Sequence, residues 1–346
     1  MNTMTSVPPY DSVVDLFLAL AEIDSPSLAE KELLDFVTTL LRNAGFLVRH
    51  DFYGNLVASD PSAFEEGSNP LVFTCHADMV SNGKPIDPKV VDGYVIATGG
   101  NCLGADNKAS LACLLWVVLR SPGSPVELVI SRNEENGFVG ARSFDASLVR
   151  SRTGVNLDGT DASEIAVSSQ YWYQISYSST AAEDELEVLA QELGCHEDIC
   201  GASVWRDSES STPVVDVFTK SALSEPVIHQ LAAIHCSGNY RLVLHSPGYS
   251  VPVEDGLVLA LSDAVGGAGL KPRITHETVG TEGSVYNSKG IKMITSGVTI
   301  SDYHTPQETV AVHALHEFVG VIDGFIHRYT RKDVTGRIDP LHSDLQ

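Results

Sequence analysis

Three short apolar runs, Leu71–Cys75, Val126–Ser131 and Gly154–Leu157, constrain the fold of this chain more than any other feature. Leu71–Cys75 is continuous rather than alternating and stops at a charged loop, the pattern of a parallel strand buried on both faces. The other two read as further strands of the same sheet. Helical stretches surround them: Asp11–Ile23 is apolar at helical spacing, and Ala109–Arg120 is apolar on nearly every side, which marks a buried helix. Ser27-Leu-Ala-Glu30 has the spacing of a capping box opening a helix through Leu41. Phe46–His50 and Asn55–Ala58 read as strands joined by a Tyr-Gly turn. Alternation of this kind predicts an α/β fold, a mostly parallel sheet sandwiched by helices.

The pattern changes after Glu164. A strand (Ile165–Tyr177), an acidic helix (Ala182–Leu193), strand pieces near Val204 and at Val214–Phe218, a helix (Glu225–His235) and a strand (Tyr240–Leu244) describe an α+β unit. From Val253 the first pattern returns, with helix Asp255–Val265, strands Pro272–Glu277 and Ile291–Thr295, and a terminal helix Val310–Tyr329. The expected organisation is a catalytic domain of residues 1–163 and 250–346, interrupted by an inserted lid of residues 164–249. Residues after Thr330 read as a polar tail. A length of 346 residues suits two domains of about 100–200 each.

Charge narrows the partners. Lys and Arg total 22 against 45 Asp and Glu, a formal net charge of −23. Such a surface repels phosphate backbones and anionic membranes, so neither nucleic acid nor membrane is expected as a partner. The six cysteines form no Cys-x-x-Cys pair, and Cys75, Cys102 and Cys113 lie in or beside apolar runs, as reduced thiols do. No apolar stretch reaches about 18 residues, and MNTMTSVPPYDSVVD has neither a basic region nor an apolar signal core. The expected location is cytoplasmic.

Chemistry concentrates just past the strands. His76-Ala-Asp78, Asp106 in Leu-Gly-Ala-Asp-Asn-Lys, Glu134-Glu135, Asp158 and His304 all fall there. Open α/β sheets gather ligands at the carboxyl ends of their strands, and Zn²⁺ accepts imidazole nitrogen and carboxylate oxygen. Each position has an ordinary reading as well: a polar strand end for His76, a helix-capping acid for Asp106, an exposed acidic pair for Glu134-Glu135, and a structural side chain for Asp158 or His304. Their conjunction favours a metal site. Neighbouring carboxylates point in different directions, so one of Glu134 and Glu135 suits a metal and the other a water. A carboxylate near a metal-bound His fixes its tautomer, which suits Asp78 beside His76.

The segments FTCHADMV, GGNCLGADNKA, RNEENGFVGAR, NLDGTDASEIAV and DYHTPQETV resemble the motifs of the di-zinc exopeptidase family of peptidase T, Xaa-His dipeptidase, carboxypeptidase G and aminoacylase. HADMV, LGADNKA and HTPQE are most similar to the peptidase T and Xaa-His dipeptidase branch. The resemblance covers residues 10–162 and 250–330, and implies a catalytic domain with an inserted lid. It further implies two Zn²⁺, with Co²⁺ or Mn²⁺ as substitutes. One is held by His76 and Asp158, the other by Glu135 and His304, and Asp106 bridges them. Asp78 orients His76, Glu134 is the general base, and the Asp106–Asn107 peptide is cis.

The sequence departs from the family in two places. Val279-Gly-Thr-Glu-Gly-Ser284 stands where Gly-Gly-Thr/Ser-Asp-Ala/Gly-Asn is usual, which leaves Glu282 and Ser284 as candidate substrate contacts. The usual Ala-His-x-Gly of the lid has no clear match. His229, His235 and His245 are the candidates for its oxyanion role, and Arg206 and Arg241 for a substrate carboxylate. The expected activity is metal-dependent exopeptidase hydrolysis of di- and tripeptides. An amidohydrolase acting on N-acyl or N-carbamoyl amino acids is the alternative, followed by a non-catalytic scaffold. By analogy the lid mediates a homodimer.

Overall fold

A computed structural model describes residues 10–177, 183–206, 213–235, 240–277 and 279–330. The polar tail and Cys236 lie outside the described residues. Helices α1 (Val13–Ala21) and α2 (Lys31–Asn43) lead into strands β1 (Leu47–His50), β2 (Leu56–Ser59) and β3 (Leu71–His76). The hairpin of β4 (Pro88–Val91) and β5 (Tyr94–Ala97) precedes α3 (Ala105–Val118), β6 (Val126–Ser131), α4 (Val139–Ser143), β7 (Thr153–Asn156) and β8 (Glu164–Ser169). The next unit holds β9 (Tyr171–Tyr177), α5 (Glu183–Gly194), β10 (Ile199–Arg206), β11 (Pro213–Thr219), α6 (Glu225–His235) and β12 (Tyr240–Ser246). After it come β13 (Tyr249–Ser250), α7 (Gly256–Gly267), β14 (Arg273–Glu277), α8 (Glu282–Ser288), β15 (Lys292–Thr295), β16 (Thr309–Ala311) and α9 (Val312–Thr330).

The central sheet runs β1-β2-β6-β3-β7-β15-β8-β13, with β14 beside β8. Its middle strands β6, β3, β7 and β15 are mutually parallel. β3 is buried along its whole length, and alternate residues feed opposite layers, Phe73 and Cys75 on one face and Val72 on the other. The first layer is built by α1, α2, α3, α7 and α9, the second by α4 and α8. The helix α3 lies between sheet and α9 with almost every residue buried, which explains why no polar stripe marks it. Local caps behave as their sequences dictate: Ser12 Oγ accepts from Asp15 N at 3.1 Å to open α1, and Asp255 accepts from Leu257 N at 2.9 Å to open α7.

Two expectations fail at this level. No capping box opens α2; Leu28 takes a left-handed φ of 72° and turns the chain away. The carboxylate of Glu30 instead accepts from Leu28 N and Asn133 N and pairs with Arg132, while Ser27 Oγ donates to Asp78 at 2.8 Å. The long strand Ile165–Tyr177 is two strands. Its first half, β8, belongs to the central sheet, and the four-stranded sheet β10-β11-β9-β12 begins at Tyr171. That second sheet packs against α5 and α6 over its own core of Tyr173, Ile175, Leu189 and Val215. The short helix α8 and the small sheet β16-β5-β4 carry no sequence signal that announced them.

Candidate metal centre

Four parallel strands end side by side, and the residues just beyond them converge. His76 closes β3 opposite Ser131 of β6, so the Glu134-Glu135 loop after β6 and Asp158 after β7 flank it. Asp106, in the first turn of α3, meets them from the sheet edge. Its Oδ1 lies 3.2 Å from His76 Nε2 and its Oδ2 3.2 Å from His304 Nε2. His76 Nε2 is also 3.3 Å from Asp158 Oδ1, and His304 Nε2 is 3.0 Å from Glu135 Oε1. Thus His76, Asp158 and Asp106 form one trio and His304, Glu135 and Asp106 another, with Asp106 common to both. The Asp106–Asn107 peptide is cis.

This donor set fits divalent cations. The Nδ1–H of His76 donates to the Asp78 carbonyl at 2.9 Å, which leaves Nε2 as the nitrogen turned toward the acids and available to a cation. That nitrogen faces carboxylate oxygens of Asp106 and Asp158, an arrangement that calls for positive charge between them, supplied by a cation or by a proton on Nε2. Glu135 Oε1 is likewise buried beside His304 without a hydrogen bond. Charge makes the same demand. Burial, then the neighbouring Asp158, Glu135 and Glu282 carboxylates, push Glu134 well above its ordinary range. Asp158 is pushed up to about 6 by burial, against the hydrogen bond from His76. His304 rises to about 10, chiefly through its contacts with Asp106 and Glu135.

Asp78 does not hold the His76 ring with its carboxylate, whose nearest oxygen is 3.7 Å from Nδ1. The carboxylate accepts instead from Glu134 N at 2.9 Å, Glu135 N at 3.1 Å and the Ser27 hydroxyl. Burial raises its pKa, but the His76 imidazole and these donors outweigh that and hold it below the usual carboxylate range. One buried acid therefore fixes the backbone of both glutamates.

The expected substrate contacts fare unevenly. Glu282 is 1% exposed and accepts from Ser131 Oγ at 2.6 Å beneath the strand ends, with burial pushing it up to about 8. Ser284 is buried between Ser246 Oγ and the Thr281 carbonyl. Neither lines the cavity, because α8 turns both inward. The side chain of Arg206 lies outside the described residues. His229 bonds Tyr240 and His235 bonds Glu192, both within the second unit. His245 is the one of the three beside the site, stacked on Trp172 at 4.7 Å between ring centroids. Its Nδ1 would lie 2.8 Å from a Cβ on Gly137, and Arg142 Nη2 is 3.9 Å from the same point. Burial, then Arg142 and Arg241, lower His245 to about 4.

A cavity of about 350 Å³ opens over the cluster, floored by Asp106, Glu134, Glu135, Asp158 and His304 and walled by Trp172, Asp161, Glu164 and Glu277. Arg142, which closes the RNEENGFVGAR segment, was given no role in the sequence reading, and Trp172, in a strand, carries no motif of its own.

A mostly parallel α/β sheet with a carboxylate-bridged pair of imidazole trios at its strand ends defines a dinuclear-metal hydrolase scaffold. The chain belongs to peptidase family M20/M25/M40, whose pattern it matches over residues 72–328. It is 29% identical over 178 residues to the cytosol non-specific dipeptidase of Escherichia coli, a stretch covering 48% of this chain and 36% of that protein. It is 30% identical over 159 residues to the uncharacterized protein YqjE of Bacillus subtilis, 42% of each. The chain thus matches less than half the length of these curated relatives. Among solved structures, the aminopeptidase PepT of Bacillus cereus superposes with a TM-score of 0.73 at 22% identity, covering 91% of this chain and 97% of that one. The aminoacylhistidine dipeptidase of Vibrio alginolyticus gives 0.71 at 17%, covering 95% and 99%. These two likenesses show the fold.

Proposed function

We propose that this protein is a metal-dependent exopeptidase that hydrolyses the amide bond of di- and tripeptides. The observation that carries the reading is Asp106, whose two oxygens each face a different imidazole that faces a second carboxylate. His76, Asp106 and Asp158 would hold one Zn²⁺, and Asp106, Glu135 and His304 the other. Bound there, the two ions supply polarisation of the scissile carbonyl and a lowered pKa for a nearby water. Glu134, 8% exposed in the cavity floor, accepts the proton of the attacking water and returns it to the leaving amine. Asp78 keeps that carboxylate in place through the Glu134 amide.

The cavity wall supports a peptide over an N-acyl amino acid. Asp161 and Glu164 share Arg273, whereas Glu277 has no basic partner among the described residues and suits a substrate ammonium. Arg241 and Arg142, on the two sides of the seam next to His245, suit the substrate carboxylate. Closure of the inserted lid, the unit from β9 to β12, over the substrate completes the site, and pairing of two lids makes the homodimer. The unpaired thiols of Cys75, Cys102, Cys113, Cys195 and Cys200 accord with a cytoplasmic location. No helix among the described residues is long and apolar enough to cross a membrane.

Metal analysis joined to a substrate panel tests this. Two equivalents of zinc, and turnover of free di- and tripeptides but not of N-acetyl amino acids, are expected. Turnover confined to the blocked compounds would establish the amidohydrolase instead. Absence of bound metal, with no activity on adding Zn²⁺, Co²⁺ or Mn²⁺, would establish the scaffold.

A further inference from the structure

The HTPQE segment holds one acid, Glu308, besides the ligand His304, and the structure gives it a place. Glu308 is 1% exposed, although it is a carboxylate with no basic partner among the described residues. Its Oε2 accepts from Gly104 N at 2.7 Å and its Oε1 from Asp106 N at 3.1 Å. Those amides open α3, where no intrahelical carbonyl can reach them. Gly104 is left-handed at φ 67°, and Asp106 departs from helix at ψ 104°, so the turn presents its N–H groups together to one anion. Glu308 supplies that anion from 202 residues away in the chain.

The loop that carries Glu308 is itself well braced. Ser301 and Thr309 close its stem through a reciprocal pair of backbone bonds of 3.0 Å, and Glu308 N donates to the Thr305 carbonyl. From this one loop His304 reaches the Asp106 carboxylate while Glu308 holds the Asp106 main chain. The bridging carboxylate is therefore gripped at both ends by a single structural unit.

We infer that Glu308 is a positioning residue for the dinuclear centre: it fixes the backbone of Asp106 so that the two carboxylate oxygens point apart, one to each cation. The inference rests on the reading of Asp106 as the bridge. A purely structural helix cap would show the same hydrogen bonds, so the test must separate stability from metal geometry. Glu127 provides the comparison. It too is fully buried, accepts from Arg150 N at 2.8 Å and Ser151 N at 2.7 Å, and belongs to no part of the site.

The experiment compares the wild type with Glu308→Gln, Glu308→Asp and Glu127→Gln. Zn²⁺ and Co²⁺ affinities are measured by competition with a chelator, alongside the Tm of each metal-depleted protein and the visible spectrum of its Co²⁺ form. The wild type binding two ions establishes the bridge reading, and its failure to bind would overturn that reading itself. Glu308→Gln is expected to lose about ten- to hundredfold in affinity, the usual effect of removing an outer partner of a ligand, with an altered Co²⁺ spectrum. Glu127→Gln is expected to lower Tm at least as much and leave affinity and spectrum unchanged. Should Glu308→Gln not fold, Glu308→Asp, which keeps the charge but shortens the reach, is read in its place. Wild-type affinity and spectrum in a folded Glu308 variant, or an equal loss in Glu127→Gln, would refute the assignment.

Discussion

Glu134 and Asp78 show how far single residues could be read. The pairing of Glu134 with Glu135 was legible because adjacent carboxylates diverge, and Glu134→Gln is expected to lower kcat by about 10²–10⁴ while bound metal stays constant. A fall in zinc content matching the fall in kcat would make it a ligand instead. The work of the Asp78 carboxylate was not legible. Spacing of two suggested a partner for the His76 ring, yet the carbonyl takes the ring N–H and the side chain takes two amides from a loop 56 and 57 residues away. Asp78→Asn offers only one acceptor oxygen in place of two. One of those amides then stays unpaired, so kcat should fall at least tenfold with zinc retained, because the His76 bond goes to the backbone. Equal loss of zinc and of kcat in this variant would restore the sequence reading of Asp78.

Elements were read well wherever local pattern decides them. β6 runs from Val126 to Ser131 as its apolar run does, and α6 spans Glu225 to His235. Failures fall where tertiary partners overrule a local motif. Ser27 and Glu30 have cap spacing but are recruited by Asp78 and by Arg132 with Asn133, and one β-prone run is shared between two sheets at Gln170. The turn between β6 and α4 makes a sharper demand. Gly137 has φ 84° and faces His245 across the seam. A side chain there is strained by about 1–2 kcal/mol from the left-handed backbone alone, and its Cβ collides with His245. Gly137→Ala should therefore lower the denaturation midpoint, and Gly137→Ala in a His245→Ala background should recover part of the loss. No recovery would place the whole cost in the backbone.

For the whole molecule, the seam between the two sheets has a pH signature. His245 lies near 4 when folded, held down by burial, Arg142 and Arg241, against about 6.5 for a free histidine. A depressed folded value favours the neutral ring, so its contribution to stability is complete above about 6.5 and is lost as pH falls through about 4. His245→Gln should flatten that limb of the stability curve, and an unchanged slope would show that His245 is not its source. Metal acts across the same molecule: zinc that binds only the folded chain adds the mass-action term to its stability, about 2.7 kcal/mol at a hundredfold excess over Kd, and so raises Tm. A Tm indifferent to zinc would contradict the centre. The order of the main strands and helices, and the acids and histidines near their ends, followed from the sequence, because burial periodicity and strand-end position are local properties of the chain. The β16-β5-β4 sheet and α8 did not. Which acid faces a cation, which faces an amide and which lies sealed beneath the sheet was decided only by the fold. Glu282, Glu308 and Glu134 look alike along the chain, and only packing between distant segments sets their partners, their solvation and so their chemistry.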